Sequence, residues 1–417
     1  MRTHTSINKL AGLVLVITLL TIINAIGQRK AVFIILDGIS ADVVEKIETP
    51  VLDEIAKVGG YTRAYLGGEK GGYSESPTVS AVGYNHLLTG TWSHKHNVYD
   101  NAIKNPNYHY WNIFRIAEHA KPGIHTAIFS SWLDNRTKLI GEGIPEAGNV
   151  KLDYAFDGFE LDGEKFPHTK DRIFMFNIDE HVSQEAGRYI AERGPDLSWV
   201  YLEFTDDMGH MYGDSPQYFD AVRKADVQVG RIWDAIKERQ RKYKEEWMIV
   251  ITTDHGRNAK DGKGHGGQSD RERTTWITTN LSDLNGRFKQ TSAVTDIMPS
   301  ILRFMKIEIP RPILQELDGV PFTGKISITN LKVAKTAGTL ELTWDVVDRR
   351  GDARVMITTT NKFKEGGKDE DILAGTTKVA NGRFTFKIPT RDADQSFFKI
   401  RVEAPLNLLT VWSVDKE

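Results

Sequence analysis

The chain of 417 residues contains no cysteine. That absence removes disulfides, cysteine zinc sites and thiol nucleophiles from consideration together. An excess of charge is also missing: 54 Lys and Arg against 56 Asp and Glu leave a formal net charge of −2. A nucleic-acid backbone would find no basic surface to grip, so no nucleic-acid-binding patch is expected. The charged run Lys237–Lys244 reads as a solvated helix face. Internal repeats and low-complexity stretches are lacking as well. Long apolar runs are confined to the start, where Leu10–Ile26 follows Arg2 and Lys9 and leads to Ala25-Ile26-Gly27. This is the pattern of a cleaved export signal over residues 1–27, although the run is also close to the shortest uncleaved anchor. The expectation is an exported protein, periplasmic or extracellular, with no stable membrane span after signal cleavage.

From Lys30 to about Pro310 the pattern alternates between strand and helix. Val32–Leu36, His125–Ser130, Trp199–Phe204, Trp247–Thr253 and Thr275–Thr279 read as strands. Ala41–Ile47, Pro50–Val58, Ala81–Leu88, Trp111–His119, Asp179–Arg193, Pro216–Lys242 and Ala293–Met305 read as helices. Such alternation predicts an α/β fold, a mostly parallel sheet sandwiched by helices. Gly143–Lys170 lacks periodicity and is expected to be a surface insertion near the site. After Pro321 the texture changes to short alternating strands: Lys325–Val333, Gly338–Val346, Ala353–Thr359, Gly382–Ile388, Phe397–Glu403 and Leu408–Val414. With Trp344 turned inward, these predict a small β-sandwich of fibronectin or immunoglobulin type. The expected division is 28–322 for the α/β domain and 323–417 for the sandwich.

The chemistry concentrates where buried strands end. A strand covered on both faces makes a fixed platform at its carboxyl end. Asp37-Gly38 closes the first strand, Asp206 and His210 follow Trp199–Phe204, and Asp254-His255-Gly256 follows Trp247–Thr253. His265, in His265-Gly266-Gly267, comes shortly after. Three Asp and three His so placed form the ligand set of a two-metal hydrolytic site. Mixed Asp and His donors favour two Zn2+ ions, with Mn2+ as the alternative. A candidate nucleophile lies in Ser76-Pro77-Thr78-Val79-Ser80, where Ser80 opens a helix whose N-terminus favours an incoming anion. Ser before a helix is ordinarily a cap, and Thr78 is a rival for either role. Asp207 competes with Asp206 for the ligand position. His86, His94 and His96 are read as helix-surface or loop residues, and Asn135 and Asn280 fit a glycosylation pattern.

Taken in order, these pieces resemble the alkaline phosphatase superfamily, and within it the type I phosphodiesterase/nucleotide pyrophosphatase group. The matching residues are Asp37-Gly38, Pro77-Thr78-Val79-Ser80 leading to Thr89-Gly90, Asn101, Asp206-Asp207-Met208-Gly209-His210, Asp254-His255-Gly256, His265-Gly266-Gly267, the Asp296–Leu302 helix and Leu317-Asp318-Gly319. The resemblance spans about Ala31 to Phe322. It implies that Ser80 is the nucleophile and forms a phosphoserine intermediate, and that Asn101 donates to a phosphate oxygen. It further implies that Asp37, Asp254 and His255 bind one metal, which also contacts Ser80, while Asp206, His210 and His265 bind the other. Serine replaces the threonine usual in the phosphodiesterase group. The His-Gly-Gly spacing is similar to that of phosphoethanolamine transferases. The implied substrate is a phosphate ester, either a small molecule or a glycan or lipid head group. The implied activity is a phosphodiesterase, with a phosphomonoesterase or a phosphoethanolamine or phosphoglycerol transferase as alternatives. A sulfatase is disfavoured, because the stretch around Pro77 lacks the required arginine.

Overall fold

The structure is a computed structural model that describes residues 27–336, 338–392 and 394–415. All but the last residue of the expected export signal therefore lies outside the described residues. Among the described residues no helix is long and apolar enough to cross a membrane.

Seven strands form the main sheet: β1 (Arg29–Leu36), β2 (Gly60–Tyr65), β3 (Thr126–Ser130), β4 (Tyr154–Phe156), β5 (Leu197–Leu202), β6 (Glu246–Thr252) and β7 (Thr274–Thr279), in the order β2-β7-β6-β1-β5-β3-β4. The run from β6 to β4 is parallel, and β7 and β2 close one edge antiparallel. Alternate residues of β1 serve opposite faces. Ala31, Phe33 and Ile35 join one apolar core with Trp199, Met248, Leu87 and Phe114; Val32, Ile34 and Leu36 join a second with Val200, Ile249, Ile178 and Ile232. Both faces are thus covered by helices, which explains why β1, β5 and β6 read as unbroken apolar runs.

Register decides where the chemistry goes. Ile34 pairs with Val200 on one side and Ile251 on the other, so β1, β5 and β6 end at one height. The segments after them, beginning at Asp37, Glu203 and Thr253, emerge side by side at the carboxyl edge.

Beyond residue 322 come β8 (Ile328–Thr336), β9 (Thr339–Val346), β10 (Asp352–Thr358), β11 (Ile372–Lys378), β12 (Arg383–Lys387), β13 (Phe397–Glu403) and β14 (Leu408–Val414). They form a four-stranded sheet, β11-β10-β13-β14, and a three-stranded sheet, β12-β9-β8, both antiparallel. Trp344 lies in their shared core with Leu342, Val355 and Ile400.

Several local expectations are corrected. The helix expected over Ala41–Ile47 stops at Val44. The one expected from Trp111 starts at Ile113, where the Asn112 side chain accepts the Arg115 N–H and caps it. The helix expected from Asp179 begins at Ile173. Gly143–Lys170 contributes the edge strand β4 and a helical turn at Phe159–Leu161 rather than loop alone. Asn135 is buried against Ser130, and Asn280 is tied to Trp247 O and Ile249 N, so neither amide is free to carry a glycan.

Candidate functional site

Asp37 follows β1 and is buried. Its Oδ2 accepts hydrogen bonds from Tyr201 at 2.6 Å and from Tyr84, leaving Oδ1 buried and without a hydrogen-bond partner. Asp254, after β6, behaves alike: Oδ1 accepts the Gly38 N–H at 3.0 Å, and Oδ2 is unpartnered. His255 donates through Nδ1 to Gly256 O at 2.9 Å, which leaves Nε2 as the lone-pair nitrogen. Nε2 lies 3.2 Å from Asp254 Oδ2, 3.4 Å from Asp37 Oδ1 and 3.3 Å from Ser80 Oγ. Two orphaned carboxylate oxygens facing an imidazole lone pair repel one another unless a cation lies among them.

Electrostatics repeat the point. Burial, then the Asp254 and Asp206 charges, push the Asp37 carboxyl well above its ordinary range. Burial carries Asp254 up to about 7. Burial also holds His255 and His265 below the ordinary histidine value, in the neutral form that ligates metals.

The second group centres on Asp206, in the first turn of the helix Phe204–Tyr212. Burial opposes its ionisation, but the hydrogen bond with His210 and the nearby Arg257 hold it below the usual carboxylate range. His210 Nε2 is 3.1 Å from Asp206 Oδ2 and 3.1 Å from His265 Nε2. His265 donates through Nδ1 to Thr78 O at 2.9 Å, which turns its Nε2 toward Asp206 Oδ1 at 4.0 Å. Donor atoms of Asp206, His255 and His265 lie within 4.8 Å of one another, as do those of Asp37, Asp254 and His255. His255 therefore belongs to both triplets, where the sequence reading gave it to the first alone.

Ser80 is the first residue of the helix Ser80–Thr89 and is buried at the wall of this cluster. Gly83, one turn on, allows the approach: a Cβ there would sit 2.5 Å from Asp254 O. Asn101 accepts the Ala81 N–H through Oδ1 at 2.9 Å and lines the same cavity as Ser80. A cavity of about 380 Å3 opens over Ser80, Asp37 and Asn101, walled by Trp132, Arg172 and Glu203. A larger groove, about 560 Å3, lies between β2 and the β8–β9 pair, and none of the candidate residues lines it.

The rivals separate by geometry. Thr78 Oγ1 is taken up by Gly267 O and the Gly266 N–H, each at 2.9 Å. Asp207 points away to Arg172, at 2.5 Å. His86 and His96 are not surface residues: both are fully buried, 2.8 Å apart through His86 Nδ1 and His96 Nε2, and His94 packs edge-on against Trp412. Sequence reasoning missed Tyr84, Tyr201, Arg172 and Arg257. Only Arg257 carried a signal, through its place beside Asp254-His255-Gly256.

Comparison with known proteins gives the family. The sequence model of the type I phosphodiesterase / nucleotide pyrophosphatase family matches residues 31–270. The chain belongs to that family. It is similar to ectonucleotide pyrophosphatase/phosphodiesterase family member 7 of Rattus norvegicus, at 25% identity over 239 residues, 55% of this chain and 50% of that protein. The chain thus spans about half the length of the curated relatives it matches. Among solved structures, human ectonucleotide pyrophosphatase/phosphodiesterase 5 aligns with 67% of this chain and 96% of its own, at 14% identity and a TM-score of 0.46. The phosphonate monoester hydrolase of Agrobacterium radiobacter aligns with 92% and 89%, at 14% identity and a TM-score of 0.49.

Proposed function

We propose that this protein is an exported phosphoric ester hydrolase of phosphodiesterase type that uses two divalent metals and a phosphoserine formed on Ser80. One observation carries the reading. The unpartnered oxygens of Asp37 and Asp254 converge with His255 Nε2, and Ser80 Oγ lies 3.3 Å from that same nitrogen. Asp37, Asp254 and His255 would hold one ion; Asp206, His210 and His265 would hold the other, with His255 beside both. Bound ions of this kind supply positive charge that acidifies a hydroxyl and stabilises a departing oxygen, and the oxygen and imidazole donors suit zinc first and manganese second.

The chain's own groups do the rest. Ser80 Oγ, having lost its proton, attacks phosphorus in line with the leaving oxygen. The new Oγ–P bond forms as the P–O bond to the leaving alcohol breaks. Water then cleaves the serine ester and regenerates Ser80. The Asn101 amide and the first turn of the helix Ser80–Thr89 hold the non-bridging oxygens. Trp132 and Tyr84 line one side of the cavity.

The substrate is a phosphate ester, as a small molecule or a glycan or lipid head group. Hydrolysis of bis-p-nitrophenyl phosphate, compared with p-nitrophenyl phosphate, tests the diester preference. The diester is expected to be the better substrate, with activity lost in Ser80→Ala. Equal turnover by Ser80→Ala on every ester would remove the nucleophile assignment. Product analysis with an added alcohol separates hydrolysis from the transferase reading that the His265-Gly266-Gly267 spacing motivates. Export is supported by the Leu10–Ile26 run that follows Arg2 and Lys9.

A further inference from the structure

Arg257 follows directly on Asp254-His255-Gly256 and has no part in the reaction outlined above. Its side chain is fully buried. A buried guanidinium is tolerated only when its donors are paired. Nη1 donates to Asp206 Oδ1 at 2.6 Å and, more weakly, to Gly38 O at 3.5 Å, Nη2 donates to Lys263 O at 2.9 Å and Nε to Gly262 O. The Asp206 carboxylate is thereby fixed in rotation, with Oδ1 on Arg257 and Oδ2 facing His210 at 3.1 Å. Gly262 and Lys263 belong to the loop that ends in His265, so the same fork that orients Asp206 also anchors that loop. The helix bearing Asp206 is shaped to admit it: a Cβ on Gly209 would lie 2.3 Å from Arg257 Cζ.

We propose that Arg257 is a positioning residue for the second metal position. It holds Asp206 and the His265 loop in their ligating arrangement, and it makes no hydrogen bond to the side chains of Asp37, Asp254 or His255 that form the first. This inference rests on the two-metal reading. Arginine suits the task because its planar fork reaches one carboxylate and three carbonyls at once. A lysine ammonium is a point charge on a flexible stem and cannot span them.

The test is a zinc titration of the metal-stripped full chain, comparing the wild type with Arg257→Lys and Arg257→Gln, with the melting temperature of each metal-free form measured alongside. The wild type is expected to bind two ions. The variants are expected to keep the first at wild-type affinity and to bind the second about 10- to 100-fold more weakly, the usual effect of losing a group that orients a ligand. A purely structural role would lower the metal-free melting temperature and weaken both ions alike. That outcome overturns the inference, as does wild-type affinity for both ions in Arg257→Lys. If Arg257→Gln does not fold, Arg257→Lys, which keeps the charge, decides the matter. A wild type that binds fewer than two ions would instead remove the two-metal reading on which the inference stands.

Discussion

Ser80, Asp37 and Tyr201 each support a separate expectation. Ser80→Ala removes the attacking oxygen and leaves the carboxylates and imidazoles in place. Turnover of the diester should fall at least about 10³-fold with zinc content unchanged, measured by steady-state kinetics beside metal analysis. Tyr201→Phe deletes one of the two hydroxyls that hold Asp37 Oδ2 and so aim its free Oδ1. Zinc affinity at the first position should drop about tenfold, read by competition with a chelating dye. Unchanged affinity would mean that Tyr84 alone suffices. At this scale the candidate ligands were legible because all but His265, in the glycine-rich loop after β6, stand just past a strand end or within four residues of another. The residues that orient them were not. Tyr84 and Tyr201 reach Asp37 across 47 and 164 positions of chain, and such pairings exist only once the sheet register is set.

The segment from Tyr84 to Val98 runs from the helix Ser80–Thr89 into the short helix Ser93–His96, and it carries His86 and His96 into the interior. Burial holds His86 down to about 3 and His96 well below its ordinary value. The fold accepts only the neutral rings, whereas the unfolded chain protonates both below about pH 6.5. Their contribution is complete above that pH and is lost as the pH falls below it, for His86 down to about 3. The slope should be about 1.4 kcal/mol per pH unit for each histidine. Melting temperature against pH should therefore fall steeply below 6.5, and His86→Gln should flatten the decline; a profile level down to pH 5 would contradict this. Element boundaries show the same division between what a sequence displays and what it does not. Strands buried on both faces, such as β1, β5 and β6, announce themselves as apolar runs. The edge strands β2 and β4 do not, because each is partly exposed and β4 is only three residues long, and β11 carries Gly375 at a break in its register.

Whole-molecule architecture depends on a contact that alternation concealed. Lys399 and Arg401 on β13 read as the solvent face of Phe397–Glu403, yet both are buried. Lys399 Nζ lies 2.9 Å from Glu316 and 2.8 Å from Asp369, and Arg401 pairs with Glu316 at 2.7 Å. Glu316 lies just after the Arg311–Leu314 helix, so the network joins the four-stranded sheet to the α/β body. Tyr73 stacking on Trp412 at 5.7 Å adds a second tie. We take 28–322 and 323–417 as two domains that fold against each other. Lys399→Met removes the ammonium shared by Glu316 and Asp369, leaving Glu316 to Arg401 alone, and should cost about 3 kcal/mol, visible in denaturant unfolding. A loss below 1 kcal/mol would show that the network is dispensable. The central claim concerns the cluster at the carboxyl edge of the sheet, and one experiment reaches it most directly: titrating zinc into metal-stripped protein while following hydrolysis of bis-p-nitrophenyl phosphate. The account predicts no turnover without metal and activity that saturates at two ions per chain. Turnover that survives complete metal removal, or none at any zinc level for any phosphate ester, would contradict it.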